Sequence, residues 1–334
     1  MALRGEPKLS ACGLKNFLRV CLGGIVAVGC LGVFILGAIA LAQPDAVSTS
    51  SAERMEQIDL FQAAVLGLVQ GLTEFLPISS TAHMKVVPVS LGWGDPGVTF
   101  TAVIQLGSIL AVLGYFWQDL KQITQGAVAA IAESNYDSQE FRIALGIALG
   151  TLPILICGLL MKALIPDLDN SALRSMGTIA LASVVMALLL ALAERLSQHK
   201  RLFNQLLLRD GILMGFAQAL ALIPGVSRSG STLTAGLFVG LERATAARFS
   251  FLLGIPAITL AGFVELGDAF RLGVSRAELA VLAVGLLSSA IFSYAAIAWL
   301  IQYLQRRNTW VFVWYRLAFG LAILGAIATN WIEN

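Results

Sequence analysis

A first short segment of this sequence combines polar residues that could help to hold a phosphate inside an apolar region. It runs from Gln70 to His83 and reads QGLTEFLPISSTAH. Gln70 and Glu74 are four residues apart, so on a helix they share one face. A carboxylate in an apolar segment is costly, and this indicates a functional role for Glu74. The alternative is a carboxylate in the headgroup region or one paired with a structural arginine.

The second half of the same segment offers hydroxyl groups and an imidazole. Pro77 ends the preceding helix. Ser79 and Ser80 follow it and can cap the next helix through their hydroxyls. His83 is one of only two histidines in the chain. Together these residues put two hydroxyl groups and an imidazole close to Glu74 in the sequence.

A second segment, Pro224 to Thr232, reads PGVSRSGST and is typical of an anion-binding loop. Its glycines free the backbone for a tight turn, and its hydroxyls and N–H groups could surround an anion at a helix N-terminus. Arg228 adds a planar, permanently charged group that suits phosphate oxygens. The alternative is a turn with an interfacial arginine. If Glu74 and Arg228 share one buried place, each lowers the cost of burying the other.

The composition indicates that lipid surrounds most of the chain. Of the 334 residues, 57% are hydrophobic and 13% are charged, and the mean hydropathy is +0.82. A soluble globular chain carries about 25% charged residues. Apolar runs of about 20 residues predict helices that cross a membrane. Long runs without polar alternation exclude a barrel, so we predict an all-α polytopic membrane protein.

Six core spans are predicted, and the basic residues between them define the orientation. The clusters at 195–209 and 306–307 follow the third and fifth spans, and Lys121 follows the first. Alternation from an outside start puts these basic groups in the cytoplasm, as the positive-inside rule requires. The spans lie near residues 100–117, 141–163, 174–193, 249–267, 278–304 and 311–332.

The N-terminal 50 residues form a separate region. Residues 20–42 are apolar and follow four basic residues, which places the N-terminus in the cytoplasm. The stretch is either an extra transmembrane helix or a signal peptide cleaved after Ala40-Leu41-Ala42. This apolar stretch is longer than the apolar region of a usual signal peptide, so a retained helix is favoured. Residues 43–58 then form an external linker, and residues 51–334 form the membrane-embedded core.

Two apolar stretches, 60–92 and 210–242, are broken in the middle and resemble each other. Gly67–Gln70 aligns with Gly215–Gln218, and Pro77–Ser80 aligns, one deletion later, with Pro224–Ser227. Three spans lie between the copies, so the copies enter the membrane from opposite faces. This predicts an inverted repeat, roughly 58–160 and 205–332, with two re-entrant helix pairs that meet near the midplane.

These two motifs resemble those of the undecaprenyl-diphosphate phosphatase family of the bacitracin-resistance type. The resemblance covers roughly residues 58–332. It implies hydrolysis of undecaprenyl diphosphate to undecaprenyl phosphate and inorganic phosphate, which recycles the carrier lipid of the cell wall and confers bacitracin resistance. It also implies a divalent metal, Mg²⁺ or Ca²⁺, and an active site that faces the periplasm from the bacterial inner membrane. A homodimer is possible in this family, and no nucleic-acid partner is expected.

The resemblance also implies roles for individual residues. Many members have Glu where Gln70 stands, and this neutral amide weakens the idea that two carboxylates hold the metal. The implied metal ligands are Glu74 and Gln70. The implied catalytic residues are Glu74, Ser80, His83 and Arg228, and the implied phosphate-binding residues are Ser79, Ser227, Arg228, Ser229 and Thr232.

Several alternatives stay open from the residues alone. The attacking group is Ser80 assisted by His83, His83 itself, or a water molecule. A rival function is a flippase or transporter of the polyprenyl phosphate lipid, because inverted repeats with broken helices are typical of secondary transporters. A purely structural membrane subunit would leave Glu74, His83 and Arg228 unexplained.

Overall fold

The computed structural model describes residues 58–165, 171–272 and 275–332. Within these ranges the chain forms eleven α-helices and no β-strand, so the predicted all-α class is confirmed. The N-terminal helix or signal segment lies outside the described residues. The helices are α1 (Leu60–Phe75), α2 (Ser80–Ser90), α3 (Gly97–Tyr115), α4 (Trp117–Ala132), α5 (Gln139–Leu164), α6 (Met176–Leu196), α7 (Leu208–Ala219), α8 (Arg228–Phe238), α9 (Arg243–Leu272), α10 (Arg276–Arg306) and α11 (Trp310–Ala328).

Six of the described helices are long and apolar enough to cross a membrane. They are α3, α5, α6, α9, α10 and α11. Each coincides with one of the six predicted spans, so the polytopic membrane fold is confirmed. The two broken stretches instead form the shorter pairs α1–α2 and α7–α8.

Helix α4 was not predicted from the sequence. The sequence analysis noted only Lys121, as a basic residue after the first span. Ile123, Ala127 and Ala130 of α4 are buried, and the helix packs against α5. The rest of its surface is largely exposed and carries most of its polar residues. A helix with one narrow apolar face carries too few apolar residues to register as a membrane span.

The break between α1 and α2 follows from local sequence. Asp59 begins α1 with a capping box, in which its side chain accepts from the Gln62 N–H and the Gln62 side chain accepts from the Asp59 N–H. Leu76 ends α1 in an extended conformation, as expected for the residue before Pro77. The helix therefore ends before Pro77, and the chain starts again as α2 at Ser80.

Both broken segments restart their second helix in the same unusual way. Ser79, the N-cap of α2, has φ 75° and ψ 95°, and Ser227, the N-cap of α8, has φ 73° and ψ 116°. Each cap lies nine positions after the matching glutamine, Gln70 or Gln218. The two segments thus align without the deletion that the sequence alignment assumed. Their inverted orientation stays a prediction.

Each broken segment packs against a span of the other half of the chain. A Cβ atom on Gly67 of α1 would lie 2.4 Å from the carbonyl oxygen of Gly285 in α10. A Cβ atom on Gly215 of α7 would lie 2.2 Å from the carbonyl oxygen of Gly150 in α5. Only glycine permits backbones this close. The first half of the repeat therefore packs closely against the second half at both broken segments.

Candidate active site

The carboxylate of Glu74 is the centre of the candidate site. Glu74 lies in the last turn of α1 and is 6% exposed. Its Oε2 atom accepts hydrogen bonds from Gln70 Nε2 at 2.7 Å and from Ser80 Oγ at 2.7 Å. Its Oε1 atom accepts from Arg228 Nη2 at 3.1 Å. The two broken segments therefore converge on one buried ion pair, whose residues are 154 positions apart in the chain.

The N-termini of α2 and α8 supply amide groups for an anion. The Ser79 hydroxyl accepts from the Ala82 N–H at 3.4 Å, and the Ser227 hydroxyl accepts from the Gly230 N–H at 3.0 Å. Non-glycine residues with φ near 75° are uncommon and cluster at functional sites. Amide groups in the first turn of a helix that the cap does not use bind anions readily. Both breaks thus have the local form of an anion site.

Arg228 is placed to bind phosphate oxygens. Its side chain is 9% exposed, and its Nη1 atom donates to the Ser250 carbonyl at 3.5 Å. Its Nε atom is buried without a hydrogen-bond partner in the described part of the chain. An unused donor on a guanidinium group beside two helix N-termini suits a phosphate ligand.

The hydroxyls predicted to bind phosphate instead bond within the protein. Ser229 Oγ donates to the Leu76 carbonyl at 2.9 Å, which ties the second loop to the first. Thr232 Oγ1 donates to the Arg228 carbonyl at 2.7 Å and lies 2.5 Å from Ser250 Oγ. These hydroxyls fix the shape of the loop, and direct binding to phosphate requires that they exchange a partner.

His83 lies in an aromatic cluster and does not contact Glu74 or Ser80 through a hydrogen bond. Its Nδ1 atom is 2.7 Å from the Ser79 carbonyl oxygen, and its Nε2 atom is 2.6 Å from the Tyr315 hydroxyl. Its ring stacks on Phe319 with the centroids 4.4 Å apart. Because a carbonyl only accepts, Nδ1 carries the hydrogen, and Nε2 of the neutral ring accepts from Tyr315. Both ring nitrogens are therefore engaged.

Arg316 of α11 connects the two breaks, and the sequence interpretation did not single it out. It is fully buried. Its Nη1 atom donates to the Pro77 carbonyl at 3.1 Å, and its Nη2 atom donates to the carbonyls of Gly225 at 2.8 Å and Val226 at 3.1 Å. The signal was available, because a charged residue inside an apolar span is a functional candidate by default.

The residues around Glu74 fit a divalent cation that a diphosphate helps to bind. The Gln70 Oε1 atom is buried and has no hydrogen-bond partner among the described residues. It lies on the residue whose amide nitrogen donates to Glu74. No group of three or more His, Cys, Asp and Glu residues that could hold a metal occurs in the described ranges. Mg²⁺ and Ca²⁺ take oxygen ligands, and Glu74 and Gln70 offer a carboxylate and a carboxamide oxygen of this kind.

The fold and the site define a polytopic membrane protein in which a buried Glu74–Arg228 ion pair joins two broken helix pairs. The chain belongs to the family of the bacitracin resistance protein BacA, whose model matches residues 63–322. This confirms the family that the two motifs predicted.

Curated relatives match most of the chain. The undecaprenyl-diphosphatase of Synechocystis sp. is 64% identical over 293 residues, which cover 86% of this chain and 90% of the relative. That of Synechococcus elongatus is 64% identical over 288 residues, which cover 86% and 99%. That of Trichormus variabilis is 63% identical over 280 residues, which cover 84% and 88%. The chain is therefore similar to proteins named for this enzymatic activity.

Proposed function

We propose that this protein is an undecaprenyl-diphosphate phosphatase, which hydrolyses the lipid diphosphate to undecaprenyl phosphate and inorganic phosphate. The observation that carries the proposal is the buried Glu74–Arg228 pair, which joins the last turn of α1 to the first turn of α8. The names of relatives that are 63–64% identical give the substrate. The test is release of phosphate from undecaprenyl diphosphate by the purified protein in detergent. Detergent removes the second compartment that a flippase needs, so release there separates hydrolysis from transport.

Binding of the diphosphate follows from the charges of the site. Arg228 offers its free Nε donor and shares its Nη2 donor with Glu74. The first-turn amides of α2 and α8 add partial positive charge. The polyprenyl tail extends into lipid, since the helices around the site are membrane spans. Arg228 and the amides together stabilise the charge that develops as the P–O bond breaks.

The hydrogen bond from Ser80 to Glu74 supports Ser80 as the attacking group. Ser80 Oγ attacks the terminal phosphorus and its proton passes to Glu74, while the bond to the bridging oxygen breaks and undecaprenyl phosphate leaves. Water then attacks the phosphoserine, the P–Oγ bond breaks, Glu74 returns its proton to Oγ, and inorganic phosphate leaves with the water's protons. A hydroxyl within hydrogen-bond reach of a base is the arrangement that activates such a nucleophile.

Replacing Ser80 by alanine tests this assignment against His83. We expect Ser80→Ala to lower the rate of phosphate release by roughly 10²-fold, because the attacking hydroxyl is removed and a water molecule activated by Glu74 must attack in its place. Tyr315→Phe frees His83 Nε2 from its partner and leaves the rate close to wild type. The measurement is kcat for both purified variants. An active Ser80→Ala protein, together with an inactive His83→Ala protein measured in the same way, would assign the attack to His83 instead.

A divalent cation, Mg²⁺ or Ca²⁺, completes the proposed site with Glu74 and Gln70 as its protein ligands. Such an ion supplies positive charge that polarises the phosphoryl oxygens. We expect a chelator to stop phosphate release and added Mg²⁺ to restore it. We expect Gln70→Leu to raise the Mg²⁺ concentration for half-maximal rate by about 10-fold, because one of two protein ligands is lost. A rate that is insensitive to chelator would refute the metal.

Gln218→Leu is the matched control for the metal experiment. Gln218 occupies the position in the second broken segment that Gln70 occupies in the first, and it is fully buried. Its amide has no hydrogen-bond partner in the part of the chain that the structure describes. Unlike Gln70, Gln218 does not bond to Glu74. We therefore expect the Mg²⁺ dependence of Gln218→Leu to equal that of the wild type.

The proposed location is the bacterial inner membrane, with the site open to the periplasm. The support is the alternation of basic loops, which places 195–209 and 306–307 in the cytoplasm. Cysteine labelling of single-cysteine variants in intact cells tests the orientation. A homodimer remains part of the proposal, and the mass of the purified protein–detergent complex tests it.

A further inference from the structure

One face of α9 lies directly against the guanidinium group of Arg228. A Cβ atom added at Gly254 would be 1.7 Å from Arg228 Nη1 and 2.6 Å from Arg228 Cζ. Side-chain atoms cannot share space at these distances. The guanidinium therefore occupies the volume that any other residue at position 254 would fill with its side chain.

Ser250 lies on the same face of α9, one turn before Gly254. Its carbonyl oxygen accepts from Arg228 Nη1 at 3.5 Å. Its hydroxyl lies 2.5 Å from Thr232 Oγ1, one turn along α8 from Arg228. On the other side, Glu74 accepts from Arg228 Nη2 at 3.1 Å. The arginine is thus held between the α9 backbone and the carboxylate, and its direction depends on both.

We propose that Gly254 is a positioning residue for the phosphatase reaction, because it lets Arg228 lie against α9 and so directs the guanidinium towards the phosphate. This inference rests on the proposed function. With alanine at position 254, the atoms in the way are the flexible end of a long side chain. The helix therefore keeps its place and the guanidinium moves away from α9, so its donors no longer keep the directions that the contact gives them.

The kinetic test compares two glycine-to-alanine variants in the same helix. Gly254→Ala is expected to lower kcat/KM by roughly 10- to 100-fold, as for a catalytic group displaced by about 1 Å. It is expected to weaken inhibition by the product, inorganic phosphate, with an unchanged Tm. Gly267→Ala is the control, because Gly267 is exposed and a Cβ atom there would contact nothing within 4 Å. Wild-type kcat/KM in Gly254→Ala, or a loss that comes with unchanged phosphate inhibition, would overturn the inference.

A thermal measurement tests the contact without any activity. Alanine favours a helix over glycine, so Gly254→Ala is expected to raise Tm when Arg228 has been replaced by alanine and the space is empty. In the presence of Arg228, the same change is expected to give no increase. Equal shifts of Tm in the two backgrounds would refute the contact. A wild-type protein without phosphatase activity would refute the proposed function and leave this thermal result to decide the contact alone.

Discussion

Replacing Arg228 by alanine is expected to lower the rate of phosphate release by at least about 10³-fold, the effect of removing a positive charge that stabilises phosphoryl transfer. Arg228 carries the unused Nε donor of the site and bonds to Glu74. The change removes a donor that would stabilise the charge developing on the phosphate oxygens. It also leaves Glu74 buried without its cation, which disfavours binding of a second negative charge.

Lysine at position 228 separates charge from geometry. An ammonium group keeps the charge, but its donors all lie on one nitrogen atom and cannot reproduce the separate directions of Arg228 Nε, Nη1 and Nη2. We expect Arg228→Lys to recover only part of the rate. The measurement is kcat from phosphate release by purified protein, with Tm recorded to confirm folding. Near-normal turnover in Arg228→Ala would refute the proposed mechanism.

Arg306→Ala is the matched control for Arg228→Ala. Arg306 ends α10, is exposed, and forms no ion pair among the described residues. The same charge is lost from the protein, yet the rate is expected to stay close to that of the wild type. A comparable loss in this variant would mean that net charge, and not the site, controls turnover.

The sequence was sufficient for the spans and for the centre of the site. Burial in lipid selects long apolar runs, and these have no other explanation in a chain with 13% charged residues. Glu74 and Arg228 stood out for the same reason, because ionisable groups in such runs are costly. The structure brings them to 3.1 Å. The roles of the site residues remain predictions that the experiments above test.

The sequence did not reveal the role of residues whose function depends on a contact with a distant part of the chain. Gly254 looks like any of the 32 glycines, and only its distance to the Arg228 guanidinium gives it a role. His83 follows Ser80 closely enough to suggest a pair, but the Ser79 carbonyl and the Tyr315 hydroxyl take its two nitrogens. Helix α4 was missed because an amphipathic pattern with a narrow apolar face is weak in a chain this hydrophobic. Tertiary contacts decide each of these cases.

Arg316 holds the two breaks together, and its replacement tests how much the site depends on that connection. Its side chain donates to carbonyls of Pro77 in the first break and of Gly225 and Val226 in the second. These carbonyls lie in non-helical backbone, which is tolerated in a membrane only where protein satisfies it. In Arg316→Met the volume is retained, but the carbonyl groups lose their donors.

We expect Arg316→Met to destabilise the protein by roughly 3 kcal/mol or more, since each unpaired buried carbonyl costs about 1–3 kcal/mol. Phosphate release is expected to fall with it, because the N-termini of α2 and α8 no longer keep their relative position. Arg316→Lys is expected to recover little, since a single ammonium group cannot serve both breaks as a fork does. Denaturant unfolding in detergent and kcat measure the two effects.

The two effects separate a structural role for Arg316 from a role in binding phosphate. Every hydrogen bond that the Arg316 side chain donates among the described residues goes to a backbone carbonyl. One of these carbonyls is that of Ser183 in α6, at 3.3 Å. Its donors are thus directed at the loops. We therefore expect the Arg316 variants to lose stability even without substrate, whereas Arg228→Ala loses rate at temperatures where it is still folded. Loss of rate in Arg316→Met with wild-type stability would contradict this division, because it would place the second arginine on the phosphate itself.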